Sequence, residues 1–256
     1  MYRLAAIIIL IFSLTSCAKQ TPLPGNEKKI NVAVAASLSR PFQEIAAEFE
    51  KQHPNHIELS FASSGVFTAQ IIHGAPFDVF ISADAIYPQK LEQQNKIVGT
   101  AKTFALGRLV LWSKTQLQQS PAAFLAGKEV KTLGIANPDL APFGAAAVKW
   151  LKTEQLYQKL NSKLVYGENI GNVNQFIASG SVDAALTSLS AKHTPQLQNK
   201  GYWTLLPVSQ IAGLPHVAVV IKQNSSRDAA MQFLDYLDSA EAQAILAKYG
   251  YMKPEK

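Results

Sequence analysis

Four short stretches of this chain put hydroxyl or backbone donors where helices begin. Ala35-Ala36-Ser37-Leu38-Ser39 follows an apolar run, and Phe61-Ala62-Ser63-Ser64-Gly65 repeats the arrangement after the next such run. In the second half, Leu140-Ala141-Pro142-Phe143-Gly144 and Ile170-Gly171-Asn172 open two more helices. A helix's first turn has free N–H groups at the positive end of its dipole, which favours an anion. A serine there adds a hydroxyl donor. From Phe61 to Asp84 there is no lysine or arginine, so an anion held there would be held by neutral donors. Taken singly, each serine or asparagine is equally well explained as a helix cap; only their convergence argues for a ligand.

Catalysis finds less support. Neither a Gly-x-Ser-x-Gly elbow nor a Ser-x-x-Lys pair surrounds Ser37 or Ser64. His53 and His56 in the run HPNH lack the cysteines or nearby carboxylates of a metal site and read as a solvated turn. Asp78, Asp84 and Glu168 could be drawn as paired carboxylates, but Asp84 reads better as a cap. No catalytic residue and no cofactor is expected.

The elements that must position these groups alternate. Lys29 to Ala36, Ile57 to Phe61 and Phe77 to Ser82 read as strands. Between and after them, Phe42, Ile45, Ala46 and Phe49 fall at helical spacing behind Pro41, and Gly65 to His73 and Ala85 to Gln94 read as helices. The pattern restarts with strands at Leu109 to Trp112 and Thr132 to Ala136, then helices at Phe143 to Glu154 and Val173 to Ser179. Asp183 to Leu186 and His216 to Ile221 are further strands, and Ser226 to Tyr249 carries two helices. Such alternation implies an α/β fold of βαβ units with mainly parallel sheets flanked by helices. Ligands bind beyond the carboxyl ends of such strands, which brings Ser37 and Ser64 to one rim.

The 256 residues are 48% hydrophobic and 16% charged, enough for two medium domains with real cores. No long linker divides them. Crossings near Leu106-Gly107 and Pro215-His216 give a first lobe of residues 29–106 and 217–256 and a second of 107–216, joined by a hinge. The net charge of +6 is scattered, with no basic run interleaved with aromatics, so a nucleic-acid partner is not expected. Arg3 followed by the apolar run Leu4 to Leu14 is too short to span a bilayer and reads as a secretory signal over residues 1–16. Leu14-Thr15-Ser16-Cys17 resembles a bacterial lipoprotein box, in which Cys17, the sole cysteine, would be lipidated. Residues 17–28, with Pro22, Pro24 and Gly25, suit a tether, giving an exported body held at a membrane and facing the periplasm or exterior.

The segments VAVAASLSRPFQEIAAEFEK, FASSGVFTAQIIHGAPFDVFISAD, NPDLAPFGAAAVKWL and GENIGNVNQFIASGSVDAALTS, with the closing KYGYMKP, together resemble the periplasmic molybdate-binding proteins of ABC importers. The likeness runs from Lys29 to Met252. It implies a two-lobed type II binding-protein fold, a monomer that takes up molybdate or tungstate in its cleft, and a membrane permease as partner. It points to Ser37 and Ser64 through their hydroxyls and to Phe143 and Ile170 through their backbone N–H groups. The family often places a tyrosine hydroxyl in the strand after the fourth segment; here that position is Thr187, the expected fifth contact. Another small anion, such as sulfate or thiosulfate, and a serine-dependent hydrolase remain as alternatives. An organic acid would call for an arginine fork, for which Arg40 is the nearest candidate. On this reading, alanine at Ser37 or Ser64 weakens binding and leaves the melting point of the free protein little changed.

Overall fold

The computed structural model of the chain describes residues 28–207, 213–222 and 226–255; the leader, Cys17 and the tether up to residue 27 lie outside them. Strands β1 (Lys29–Ala35), β2 (His56–Ala62), β3 (Val79–Ser82) and β4 (Ile97–Gly107) alternate with helices α1 (Ser39–Gln52), α2 (Ser64–Ile72) and α3 (Ile86–Gln93). Next come β5 (Leu109–Ser113), α4 (Pro121–Ala126), β6 (Leu133–Ala136), α5 (Pro142–Thr153), α6 (Tyr157–Leu160), β7 (Leu164–Gly167), α7 (Ile170–Ser179), β8 (Ala184–Ser188) and β9 (Tyr202–Leu205). The last elements are β10 (Leu214–Ile221), α8 (Arg227–Tyr236) and α9 (Ala240–Lys248).

These strands form two five-stranded sheets, ordered β2-β1-β3-β10-β4 and β7-β6-β8-β5-β9. The orders are equivalent. In each, one strand runs against the other four: β10 is antiparallel to both β3 and β4, and β5 to both β8 and β9. The reversed strand is in each case the one by which the chain arrives from the other sheet. The parallel strands aim their carboxyl ends at the cleft, so a chain leaving one sheet there enters the next from the cleft side and must run away from it. The sheets are therefore mixed in their pairings while keeping the mainly parallel direction expected from the sequence.

Strand pairing moves the crossings slightly from the expected positions. Gly107 still pairs with Leu214 in the first sheet, and β5 begins at Leu109, so the first crossing is at Arg108. Leu214 to His216, expected in the second lobe, pair in the first sheet with β4. The C-terminal helices close the first lobe, because Phe233, Tyr236, Leu237 and Leu246 share one core with Phe42, Phe49 and Phe104. Phe42 and Phe49 meet Phe233 edge to face at 6.4 and 5.1 Å, a geometry that adds to simple area burial. A second core, with Trp150, Leu111, Ile135 and Leu186, lies under the other sheet. Among the described residues, no helix is long and apolar enough to cross a membrane.

Candidate functional site

β1 and β2 both end at the cleft, and the chain must turn as it leaves each of them. After β1 it makes a single 3-10 turn, Ala36–Leu38, before α1; Ser37 sits in its middle, 6% exposed. Its Oγ is buried and has no hydrogen-bond partner, the costly state for a hydroxyl taken out of water. After β2, Ser63 caps α2 by accepting from the N–H of Val66 at 3.4 Å. Ser64, fully buried, accepts from the N–H of Ala83 at 3.1 Å. That bond fills a lone pair of Ser64 Oγ and leaves its proton to be donated elsewhere.

The second sheet supplies two helix starts. α5 begins at Pro142 behind Ala141, which has no side-chain acceptor to offer, so the N–H of Phe143 is not capped by it. α7 begins at Ile170 behind Asn169, whose Oδ1 accepts from the N–H of Asn172 at 3.2 Å; the N–H of Ile170 lies ahead of that bond. Ser37, Ser64, Phe143 and Ile170 line one pocket between the sheets, together with Ser63 and Asn169 and the small walls Ala35, Ala36, Ala83, Ala141 and Pro142. Its volume is about 210 Å³ with its open side included. No lining residue is charged. Among the described residues, no group of His, Cys, Asp and Glu could hold a metal cation. The arrangement can surround a small oxyanion with donors.

Four other candidates stand outside the lining. Thr187 is fully buried in β8 and donates its hydroxyl to Asn174 Oδ1 at 2.8 Å; Asn174 lies on α7, so this bond ties α7 to its strand. Arg40 reaches Gln43 and, across the cleft, Gln196, both at 3.4 Å on the exposed side. Asp84 accepts from Ser82 Oγ at 3.3 Å and from the N–H of Tyr87 at 3.2 Å, and its burial pushes its pKa up. Asp78 accepts from the N–H of Asn31 at 2.8 Å.

Contacts between the lobes ring the pocket. The N–H of Gly65 donates to Leu140 O at 2.9 Å, and Tyr87 donates its phenolic proton to the neighbouring carbonyl, Asp139 O, at 3.0 Å. A Cβ on Gly65 would stand 2.9 Å from Leu140 O and 3.0 Å from Leu140 Cα. Glycine is therefore required where one lobe's helix start meets the other lobe's backbone. On the opposite flank, Ser190 and Tyr251 both donate to Ser37 O at 2.8 Å. Sequence reasoning missed Asn169, Ser190 and Tyr251. Asn169 was within reach, since it precedes Ile170 in a helix-start pattern.

Behind the site, in the first residues of β10, His216 is fully buried among the rings of Phe104, Phe143 and Tyr251, with centroids at 6.5, 6.0 and 5.0 Å. Burial pushes its pKa down to about 4, against the opposing effect of a 2.9 Å contact between Nδ1 and Leu214 O. The neutral ring thus carries its proton on Nδ1, and Nε2 is left without a partner.

A family model for bacterial extracellular solute-binding proteins matches residues 30–252. The chain is 35% identical over 247 residues to the molybdate-binding protein ModA of Azotobacter vinelandii, with 96% of each chain covered. It is 34% identical over 233 residues to the molybdate-binding protein ModA of Rhodobacter capsulatus, with 90% of each covered. Among solved structures, the periplasmic molybdate-binding protein of Azotobacter vinelandii superposes with a TM-score of 0.83 at 31% identity, over 88% of this chain and 100% of that one. With its uncharged pocket between two equivalent sheets, the chain belongs to the bacterial extracellular solute-binding proteins.

Proposed function

We propose that the protein binds molybdate in the cleft between its lobes and delivers it to the permease of an ABC importer. The observation that carries the reading is the Ser37 hydroxyl, buried in the pocket and without a partner. A fold retains such a group at a cost unless something else accepts its proton. The other contacts follow as Ser64 Oγ and the N–H groups of Phe143 and Ile170. Each donor to a charged acceptor contributes about 1.5–3 kcal/mol net, so four together contribute roughly 6–12 kcal/mol without a cationic side chain.

Neutral donors also select. A protonated oxyanion would set its own O–H against the N–H groups of Phe143 and Ile170, which cannot accept, and this disfavours protonated phosphate; size then separates molybdate and tungstate from sulfate. On this reading the activity is binding of the ligand by uncharged donors. Residues 1–16 act as the export signal, Cys17 as the lipid anchor, and the body works as a monomer at the cell envelope. The test is titration calorimetry of the soluble body with molybdate, tungstate and sulfate. Molybdate and tungstate should bind at least a hundredfold more tightly than sulfate; a preference for sulfate would overturn the assignment.

A further inference from the structure

We propose that Ser190 and Tyr251 are positioning residues for the anion site, holding Ser37 by its carbonyl and linking its placement to both lobes. The inference rests on the binding function proposed above. The two hydroxyls converge on Ser37 O at 2.8 Å each and fill both of its lone pairs. Ser188 Oγ stands 2.8 Å from Ser190 Oγ. Because Ser190 spends its own proton on Ser37 O, it accepts here and Ser188 donates. Tyr251 Oη is also 3.3 Å from Ser190 Oγ. All four residues are buried.

The consequence for Ser37 is specific. Its 3-10 turn has no side-chain cap and is closed within its own segment by the Ser39 N–H, which donates to Ala36 O, so the Ser37 carbonyl takes its partners from elsewhere. With the carbonyl held from two sides, the peptide is restrained, and the hydroxyl is left without a partner in the protein. The two holders come from different places. Tyr251 belongs to the C-terminal segment that packs on the first lobe's core. Ser190 follows β8 in the second lobe, so its bond to Ser37 joins the two lobes, beside the crossing at Arg108, whose carbonyl accepts from the N–H of Leu189 at 2.9 Å. Tyr251 is itself braced, with its ring edge-on to His216 at 5.0 Å.

The experiment uses the soluble body with sodium molybdate as probe and compares wild type, Ser190→Ala and Tyr251→Phe by calorimetry and by melting without ligand. Each variant should weaken molybdate affinity about tenfold, the equivalent of one buried hydrogen bond of roughly 1.4 kcal/mol. For Ser190→Ala the melting point of the free protein should fall as well, because the buried Ser188 hydroxyl loses its acceptor, so the loss of affinity is the readout that carries the proposal. A merely structural role would instead lower the free protein's melting point and spare affinity, and that result overturns the proposal, as would affinities of both variants within twofold of wild type. Failure of the wild type to bind molybdate overturns the proposed function instead, so the two failures are told apart.

Discussion

Gly65→Ala separates closure of the cleft from stability of the fold, because the two should move in opposite directions. The new methyl would meet Leu140 O at 2.9 Å and Leu140 Cα at 3.0 Å, both backbone atoms of the other lobe, and Tyr87 Oη at 2.9 Å. The tyrosine tip can swing away. The backbone of residue 140 cannot move without disturbing the start of α5, where Phe143 offers its N–H. Overpacking of this kind costs about 1–3 kcal/mol, and losing the 2.9 Å bond from the Gly65 N–H to Leu140 O adds about 0.5–1.5 kcal/mol. A total of about 1.5–4.5 kcal/mol, set only against the closed form, weakens molybdate binding by at least about tenfold. With the lobes apart, the contact of Gly65 with Leu140 would be absent. There the substitution places alanine at the second position of α2, which favours the helix by up to about 1 kcal/mol. Calorimetry with molybdate and melting without it, on the same sample, should therefore show affinity falling while the melting point holds or rises. Undiminished affinity would refute the idea that Gly65 is required by lobe contact. Gly144 is the contrast: a Cβ there would stand 2.2 Å from Ala136 O within its own lobe, so its strain would weaken the fold with or without ligand.

Alanine at the two site serines should also behave unequally. Ser37→Ala removes a hydroxyl that has no partner in the protein and should weaken affinity more than tenfold with little change in the free protein's melting. Ser64→Ala leaves the buried N–H of Ala83 without its acceptor, so it should lower stability by about 1–3 kcal/mol as well as affinity; melting curves of the two variants check this. His216 sets an acid limit. Its folded pKa of about 4 lies below the usual 6.5, so between those values the unfolded chain holds the extra proton and stability falls as pH falls. From pH 7 to pH 5 the loss should be roughly 2 kcal/mol in urea titrations, and His216→Asn, which keeps a donor near the Nδ1 position without titrating, should remove that part of the slope.

How much of the fold could be read from the sequence depended on where each signal lay. β1 and β3 are buried on both faces and read as strands from their apolar runs, and α1 shows its buried face at helical spacing. The strands that escaped notice, β4, β7 and β9, all lie at sheet edges. β4 carries exposed Gly99, Thr100, Ala101 and Thr103, with Gly99 at φ +71°, so neither alternation nor an apolar run marks it. The α4 and α6 helices are too short to establish a period. At the site, Ser37, Ser64, Phe143 and Ile170 could be named because each stands at a local junction of strand and helix. Thr187 shows the limit of position alone: a side chain at the right place in the strand is turned to Asn174, thirteen residues earlier.

Gly65 shows why the remaining part of the site could not be read locally. Its segment suggests a backbone that comes close to whatever Ser64 holds; the atom it approaches is Leu140 O, in the other lobe. The Ser37 carbonyl is likewise held by residues 153 and 214 positions away. The polar groups around the pocket thus fall into two kinds. Ser64 with Ala83, and Asn169 with Asn172, are set within one lobe and are present whether the cleft is open or shut. Gly65 with Leu140, Tyr87 with Asp139, and Ser190 with Ser37 exist only between lobes. An open pocket with only the first kind can meet an oxyanion but leaves it half in water, where neutral donors gain little over solvent. The second kind adds nothing to the ligand's contacts yet holds the two half-sites together around it, so tight binding and release can be governed by contacts that never touch the anion.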